Sequence, residues 1–226
     1  MKYIGLISDT HGVFSEQFKE FLAPVDEVWH AGDFGGGFQT AEEIAAFKPL
    51  VGVAGNCDNY DLRYTHPVHR FFECEGFKVL MIHVGGYPGR YDVRARKLID
   101  ELKPDIFVCG HSHILKVVRD TRRGGMLVMN PGAAGIQGFH VVRTALRFHI
   151  DDGRISGLEL FELSGIEPNP RIDSVREGAK ICKKENIDVL LAVGGGSTLD
   201  CTKWIAAAAK VEHDAWDFFS DWAPVE

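Results

Sequence analysis

The feature that most constrains this chain is a repeated punctuation. Apolar runs short enough to be strands stop, one after another, at a glycine beside a polar group able to bind a metal. Leu6-Ile7-Ser8-Asp9-Thr10-His11-Gly12 is the first. The run Lys2 to Ser8 alternates and then turns apolar, as a buried strand does, so Asp9 and His11 fall where strand gives way to loop. A period of two would project them to the same side. A carboxylate and an imidazole so placed can hold one divalent cation. Alone, the pattern more often marks a turn Asp beside a surface His; its recurrence weighs against that. A second strand, Glu27 to Ala31, delivers Gly32-Asp33, and a third, Pro49 to Ala54, delivers Gly55-Asn56-Cys57-Asp58. A hairpin of Phe71 to Gly76 and Phe77 to Val84 ends in His83 ahead of Gly85 and Gly86, and Ile106 to Cys109 empties into Gly110-His111-Ser112-His113.

Helical patterns separate these strands. Phe14, Phe18, Phe21 and Leu22 share one helix face in a segment that Ser15 or Gly12 can open and Pro24 closes. Thr40 to Phe47 and Tyr91 to Leu102 read as further helices, stopped by Lys48-Pro49 and Lys103-Pro104. Alternating strand and helix implies a parallel sheet whose strand carboxyl ends line one edge, so the polar groups converge. The glycines at 35, 36 and 37 lack the lysine of a phosphate-cradling loop and read instead as room for close approach to Asp33. Lys116 to Arg122, Met126 to Met129, Thr144 to Asp151 and Arg154 to Phe161 alternate as antiparallel strands, joined by Arg123-Gly124-Gly125 and Asp152-Gly153.

Composition narrows the class. A chain of 226 residues with 45% hydrophobic content can bury a core in one or two domains. There is no basic start followed by an apolar run, and no stretch of about 18 apolar residues, so the expectation is a soluble cytoplasmic protein with no membrane partner. Five cysteines without a C-x-x-C pair point to reduced thiols. The net charge of -7 argues against an extended nucleic-acid surface and leaves small phosphates open.

Asp9-x-His11, Gly32-Asp33, Gly55-Asn56, His83 and Gly110-His111-x-His113, in that order and spacing, resemble the signature of the calcineurin-like metallophosphoesterases, over about residues 1 to 163. The compact size and the Gly-Asn-Cys-Asp variant look like the small YfcE-like phosphodiesterase branch. The resemblance implies an α/β fold of four layers, a β-sandwich flanked by helices, with two divalent metals (Mn, Ni, Fe or Zn) at one sheet edge. Asp9, His11 and His113 would hold one metal, Asn56, His83 and His111 the other, and Asp33 would bridge them. Two cations about 3.5–4 Å apart share a water, lower its pKa and clamp the phosphate through an in-line attack. The implied reaction is hydrolysis of a small phosphodiester with no phosphoenzyme. Many members place a His where Cys57 stands, so Cys57 and Asp58 fall on the leaving-group side. A thiol with a reference pKa near about 8.5 replaces imidazole poorly, which favours easy leaving groups; the alternative is that Cys57 is an uninvolved loop thiol.

Other groups read more plainly. His30 is expected in the core, because its neighbour on a strand points the other way. His66, His69, His140 and His149, the last on an outer strand, are expected to face solvent, and Arg122 and Arg123 to form a solvated hairpin tip. Arg90 could steer a substrate phosphate or be an ordinary loop arginine.

Beyond Leu163 the character changes. Residues 165 to 171, Gly-Ile-Glu-Pro-Asn-Pro-Arg, precede an amphipathic helix through about Glu185 and an expected buried strand, Val189 to Val193. Gly194-Gly195-Gly196-Ser197 then opens a second helix, a placement suited to a pyrophosphate. With Asp200, Lys203 and Trp216-Asp217-Phe218-Phe219, this tail resembles part of the nucleotide-binding domain of iron-containing alcohol dehydrogenases, a C-terminal α/β fragment over residues 164 to 226. That family's later metal ligands are absent, and His213 is the tail's one histidine, so the glycine loop reads as vestigial. The expectation for the tail is that it docks on the phosphoesterase, mediates self-association or is partly mobile. An NAD(P)-linked alcohol dehydrogenase fragment, or a metal and phosphate-binding module without turnover, are the alternatives for the chain.

Overall fold

A computed structural model describes residues 1–138, 140, 142–164, 172–192 and 196–211. The chain divides into two compact units, Met1–Gly165 and Ile166–Glu226.

The first unit begins as the sequence pattern suggests: β1 (Lys2–Ile7), α1 (Glu16–Leu22), β2 (Glu27–His30), α2 (Phe38–Phe47) and β3 (Leu50–Gly52). The three strands are parallel neighbours. Alternate residues serve opposite faces: Ile4, Leu6 and Trp29 enter the central core, whereas Ile7 and Val28 meet Phe18, Leu22 and Ile44 of the covering helices. Burial on both faces is why these strands read as nearly continuous apolar runs.

The chain then builds a second sheet. A short α3 (Leu62–Thr65) leads to β4 (His69–Cys74), β5 (Phe77–Ile82), a two-residue pair β6 (Gly86–Tyr87) and β7 (Arg90–Tyr91), α4 (Val93–Leu102), β8 (Ile106–Val108), β9 (Leu115–Asp120) and β10 (Met126–Pro131). Asp92 caps α4 by accepting the amides of Arg94 and Ala95. The sheet order is β4-β5-β8-β10-β9, with β5, β8 and β10 parallel. Val79, Met81, Ile106 and Val108 pack into the central core; Leu80, Ile82 and Phe107 turn outward onto Ala95 and Ile99 of α4.

Two long strands, β11 (Val142–Asp151) and β12 (Arg154–Ser164), return to the first sheet and complete the order β12-β11-β1-β2-β3. Because β11 lies between β12 and β1, His149 is not on an outer strand; its ring stacks on Tyr3 at 3.9 Å. The result is four layers, helices on both sides of two facing five-stranded sheets. Each fully buried Ile, Leu or Phe in these clusters contributes about 1.5–3 kcal/mol.

The second unit shows α5 (Ile172–Lys184) and α6 (Gly196–Ala209). Val175, Ala179 and Ala208 are buried between them with Trp204 and Ile205 alongside. The expected strand at Val189 is not there: residues 187–192 form no strand, and Val189 and Leu191 are 81% and 85% exposed. Among the described residues of this unit no other strand stands beside the run for it to pair with. The second helix does open at Gly196 as expected. Residues 165–171 and 193–195, and Trp216-Asp217-Phe218-Phe219, lie outside the described residues.

Candidate metal centre

Six parallel strands, three per sheet, point their carboxyl ends to one edge of the sandwich. From the first sheet come Asp9, Asp33 and Asn56, after β1, β2 and β3; from the second come His83 after β5 and His111 and His113 after β8. The sixth strand, β10, contributes Asn130. Its amide nitrogen donates to the Gly110 carbonyl at 2.8 Å and to Ser112 Oγ at 3.1 Å, and its oxygen accepts from the Gly132 amide. Asn130 thus shapes the His111–His113 loop, and the sequence reading missed it. The signal was present: Met129-Asn130-Pro131-Gly132 repeats the apolar, polar, glycine punctuation.

Strand periodicity does not bring Asp9 and His11 together. Both lie beyond the end of β1, with left-handed backbone at φ 54° and 46°. Asp33, His111 and His113 share that conformation at 57°, 67° and 56°. It is costly for residues with a Cβ, of order 1–3 kcal/mol each, and persists where surrounding contacts over-determine it.

Those contacts are visible. Asp58 accepts the amides of Asp33 and Gly55 on Oδ2, at 3.0 and 2.8 Å, and of Gly35 on Oδ1 at 3.0 Å. Both oxygens are engaged with backbone, so Asp58 braces the loops that carry Asp33 and Gly55. Gly55 is required where it is, since a Cβ there would lie 2.0 Å from Asp33 Oδ1. Among the clustered glycines the close approach is different from the one expected: Gly35 gives room to the His11 backbone, 2.5 Å from where a Cβ would fall.

The cluster is tightly drawn, with Asp9, Asp33 and His83 buried and His11 and His113 half-buried. His113 Nε2 is 3.2 Å and His11 Nε2 4.0 Å from Asp9 Oδ1, and the two rings' Nε2 atoms are 3.5 Å apart. His83 Nε2 lies 3.1 Å from Asp33 Oδ2 and 3.8 Å from Asp9 Oδ1. Potential ligand atoms group as Asp9 with His11 and His113, as Asp9 with Asp33 and His83, and as His11 with Asp33 and Cys57. Asp33 therefore stands between the His83 side and the His11 side. Asn56 and His111 sit at the rim: Asn56 lines a cavity with His83, while the His111 ring lies 5.3 Å from that of His83 and its amide donates to Asp9 Oδ2 at 3.1 Å.

Proton bookkeeping shows what this arrangement suits. His83 Nδ1 is 2.8 Å from the Ala31 carbonyl, which can only accept, so Nδ1 carries the proton and a neutral ring turns a bare Nε2 inward. Neither that Nε2 nor Asp9 Oδ1 has a hydrogen-bond partner among the described residues. A lone pair and two carboxylates facing one another in a buried site repel unless a cation stands among them. Burial opposes charging His83, yet Asp33 and Asp9 outweigh it and hold the ring above the usual imidazole range, so the same two carboxylates draw a positive charge, a proton or a metal, to Nε2. Burial likewise opposes the Asp33 carboxylate, and His83 with the Cys57 amide outweighs that, holding it well below the usual range. The donor set fits a divalent metal.

His113 is oriented in the same way. His140 Nε2 is 3.0 Å from the Gly135 carbonyl and so donates; its Nδ1, 3.1 Å from His113 Nδ1, then accepts, leaving His113 Nε2 bare toward Asp9. His140, expected in solvent, instead orients a cluster histidine. His30 is in the core as expected, bonded to Thr10 Oγ1 at 2.9 Å and stacked on Phe34 at 3.7 Å. His69 is exposed, and His66 is half-buried with its ring 4.8 Å from that of Phe34.

The sequence profile of the calcineurin-like phosphoesterase superfamily domain matches residues 1–153, the stretch that carries all of these groups. The chain belongs to the calcineurin-like phosphoesterase superfamily. Phosphoesterases of this superfamily use divalent metals, and the cluster is the place where this chain can hold them. Two solved structures share the fold. Vps29 from Entamoeba histolytica, complexed with zinc, is 19% identical with TM-score 0.55, the alignment covering 72% of this chain and 98% of that one. A predicted phosphoesterase from Streptococcus pneumoniae is 22% identical with TM-score 0.50, over 72% and 89%.

The tail matches elsewhere. The profile of iron-containing alcohol dehydrogenase matches residues 116–225. A probable NADH-dependent butanol dehydrogenase from Bacillus subtilis is 61% identical over 62 residues, 27% of this chain and only 16% of that protein's length. The first 38 residues of the profile match, 116 to 153, are shared with the phosphoesterase profile, and the fold assigns them to the sandwich as β9 to β11.

Within the phosphoesterase unit, Cys57 lies against the cluster, its amide donating to Asp33 Oδ1 at 2.8 Å. Desolvation of the sulfur, then the Asp33 carboxylate, push the thiol up to about 11, so it stays protonated at neutral pH. Arg123 is not a solvated tip: it pairs with Asp100 at 2.8 Å and Asp120 at 3.2 Å, and lies over the Tyr91 ring. Arg90 lines a cavity of about 400 Å³ with His111. No helix among the described residues is long and apolar enough to cross a membrane.

Proposed function

We propose that the phosphoesterase unit hydrolyses small phosphodiesters to a phosphomonoester and an alcohol with the help of two divalent cations. Asp9, His11 and His113 would hold one, Asn56, His83 and His111 the other, and Asp33 would serve both. The observation that carries this reading is the pair of unpartnered buried atoms, Asp9 Oδ1 and His83 Nε2, 3.8 Å apart beside Asp33. A fold relative crystallised with zinc supports the same donor chemistry; Mn, Ni and Fe suit it as well.

Divalent cations held there acidify water and neutralise the nonbridging oxygens of a phosphate. The chain's residues do the rest. Ala31 and His140 keep the tautomers of His83 and His113 that aim Nε2 inward. Asp58 holds the loops of Asp33 and Gly55 in register. The Cys57 thiol stands at the leaving-group side, and a group titrating near 11 gives little driving force for protonating an alkoxide. Aryl and other acidic leaving groups are therefore the favoured substrates. Attack by water requires no Ser, Cys or His nucleophile.

The test is hydrolysis of bis(p-nitrophenyl) phosphate by metal-stripped full-length protein with Mn²⁺ or Ni²⁺ added back, beside Asp33→Asn. Turnover restored by metal and lost in the variant is expected. Turnover without metal, or a phosphoryl group trapped on the protein, would overturn the reading.

A further inference from the structure

Beside the cluster, sharing Asn56 and His83 with it, lies a cavity of about 1080 Å³. That is far more than a single phosphate with an aryl group fills, since pockets of roughly 300–1,000 Å³ hold drug-sized ligands. Its wall is basic. Arg63 comes from α3, and Arg94, Arg96 and Lys97 from the first turns of α4.

Three observations separate this wall from an ordinary solvated helix face. First, none of the four side chains has an ion pair or hydrogen bond among the described residues, so all four charges are open to a ligand. Second, the two acids on the same wall are already engaged: Asp92 caps α4, and Asp100 pairs with Arg123. Third, the chain as a whole carries a net charge of -7, so four unpaired cations around one cleft are a local reversal of sign.

We propose that this cleft binds a second phosphate of the substrate. The preferred substrates are then phosphodiesters that carry a further phosphate monoester on the arm lying along α4, as a nucleotide with an additional terminal phosphate does. Arginine forks and an ammonium are suited to a dianion of that kind, and a basic cleft also raises the rate of encounter at low salt. This rests on the phosphodiesterase reading above.

The experiment compares two esters that release the same p-nitrophenolate: the p-nitrophenyl ester of thymidine monophosphate, and the same ester with a second phosphate on the sugar's other hydroxyl. Full-length protein loaded with Mn²⁺ is measured beside a triple variant, Arg94→Gln, Arg96→Gln and Lys97→Gln. The expected result is a kcat/KM about tenfold higher for the doubly phosphorylated ester, an advantage that falls with added salt and disappears in the variant. The singly phosphorylated ester should change less than about twofold, because none of the three residues belongs to the cluster. Equal effects on both esters, or none, overturn the proposal. If neither ester is hydrolysed, the phosphodiesterase reading fails by itself. Calorimetric binding of thymidine bisphosphate then decides the cleft: tighter binding to the wild-type chain than to the variant supports it, and equal binding overturns it.

Discussion

The two units contrast in how likeness relates to equipment. The phosphoesterase unit shares only 19–22% of its residues with two proteins of the same fold, yet brings Asp9, His11, Asp33, His83 and His113 into one cluster. The tail is 61% identical to a dehydrogenase over 62 residues, yet its described part is two helices around four buried residues, with Val189 and Leu191 exposed. A site is a constellation drawn from many strand ends, so it survives wide sequence change if the strands keep their order. A short stretch of high identity carries no constellation by itself.

The sharpest way to break that contrast is at Asp33. Replacing it with Asn should lower metal-dependent hydrolysis by about a thousandfold or more, several kcal/mol of lost charge stabilisation. A chelator should do the same to the wild-type chain, and metal added back should reverse only the chelator. Stability provides the next largest effect. Phe148 is fully buried between the sheets, so Phe148→Ala should cost about 3–5 kcal/mol in urea unfolding. Ala208→Gly in the tail should cost about 1 kcal/mol, from helix propensity with a small loss of packing. Comparable losses would show the tail's core to be as consequential as the sandwich.

His140 sharpens the comparison within the first unit. His140→Ala removes the acceptor that orients His113, and calorimetric titration with Mn²⁺ should show affinity reduced about 10–100-fold. His140→Gln, which can accept from His113 and donate to Gly135, should recover part of it. Deleting residues 166–226 should change turnover by less than about twofold, because the three clusters of the sandwich are built from residues before 165. A large loss would tie the tail to catalysis.

The smallest effect concerns acid. Burial opposes the Asp120 carboxylate, but the Tyr91 hydroxyl, Arg123 and the Arg122 amide outweigh it and hold its pKa down. A carboxyl depressed on folding contributes stability above its unfolded pKa of about 3.9 and loses it as the pH falls through the folded value. Asp120→Asn should therefore flatten the acid side of the unfolding curve below about pH 4 and change its slope little near neutrality.

Much of this was legible in the chain itself. Apolar runs of period two and helices at 3.6 give the alternation from β1 to β3, and a glycine within two positions of a polar residue marks every strand end that carries a ligand. What the patterns could not show is anything that depends on a distant partner. Asp58 reads as a second acid beside Cys57 until Asp33 and Gly35, more than twenty positions earlier, turn their amides to it. His140 reads as a loop histidine until β11 returns the chain to His113. The run at Val189 has the composition of a buried strand, but composition cannot supply the neighbour that would pair with it.

By itself, then, the sequence determined which residues end strands and which of these bear metal-binding atoms, because local periodicity and glycine placement act over a few residues. Tertiary structure decided that the strands form two sheets rather than one, with three ligand-bearing ends from the first and two from the second. It also decided the left-handed turns at Asp9, His11, Asp33, His111 and His113 and the tautomers that bare Nε2 of His83 and His113. Those features are held by hydrogen bonds between residues 20 to 100 positions apart, and only a folded chain brings such partners within 3 Å.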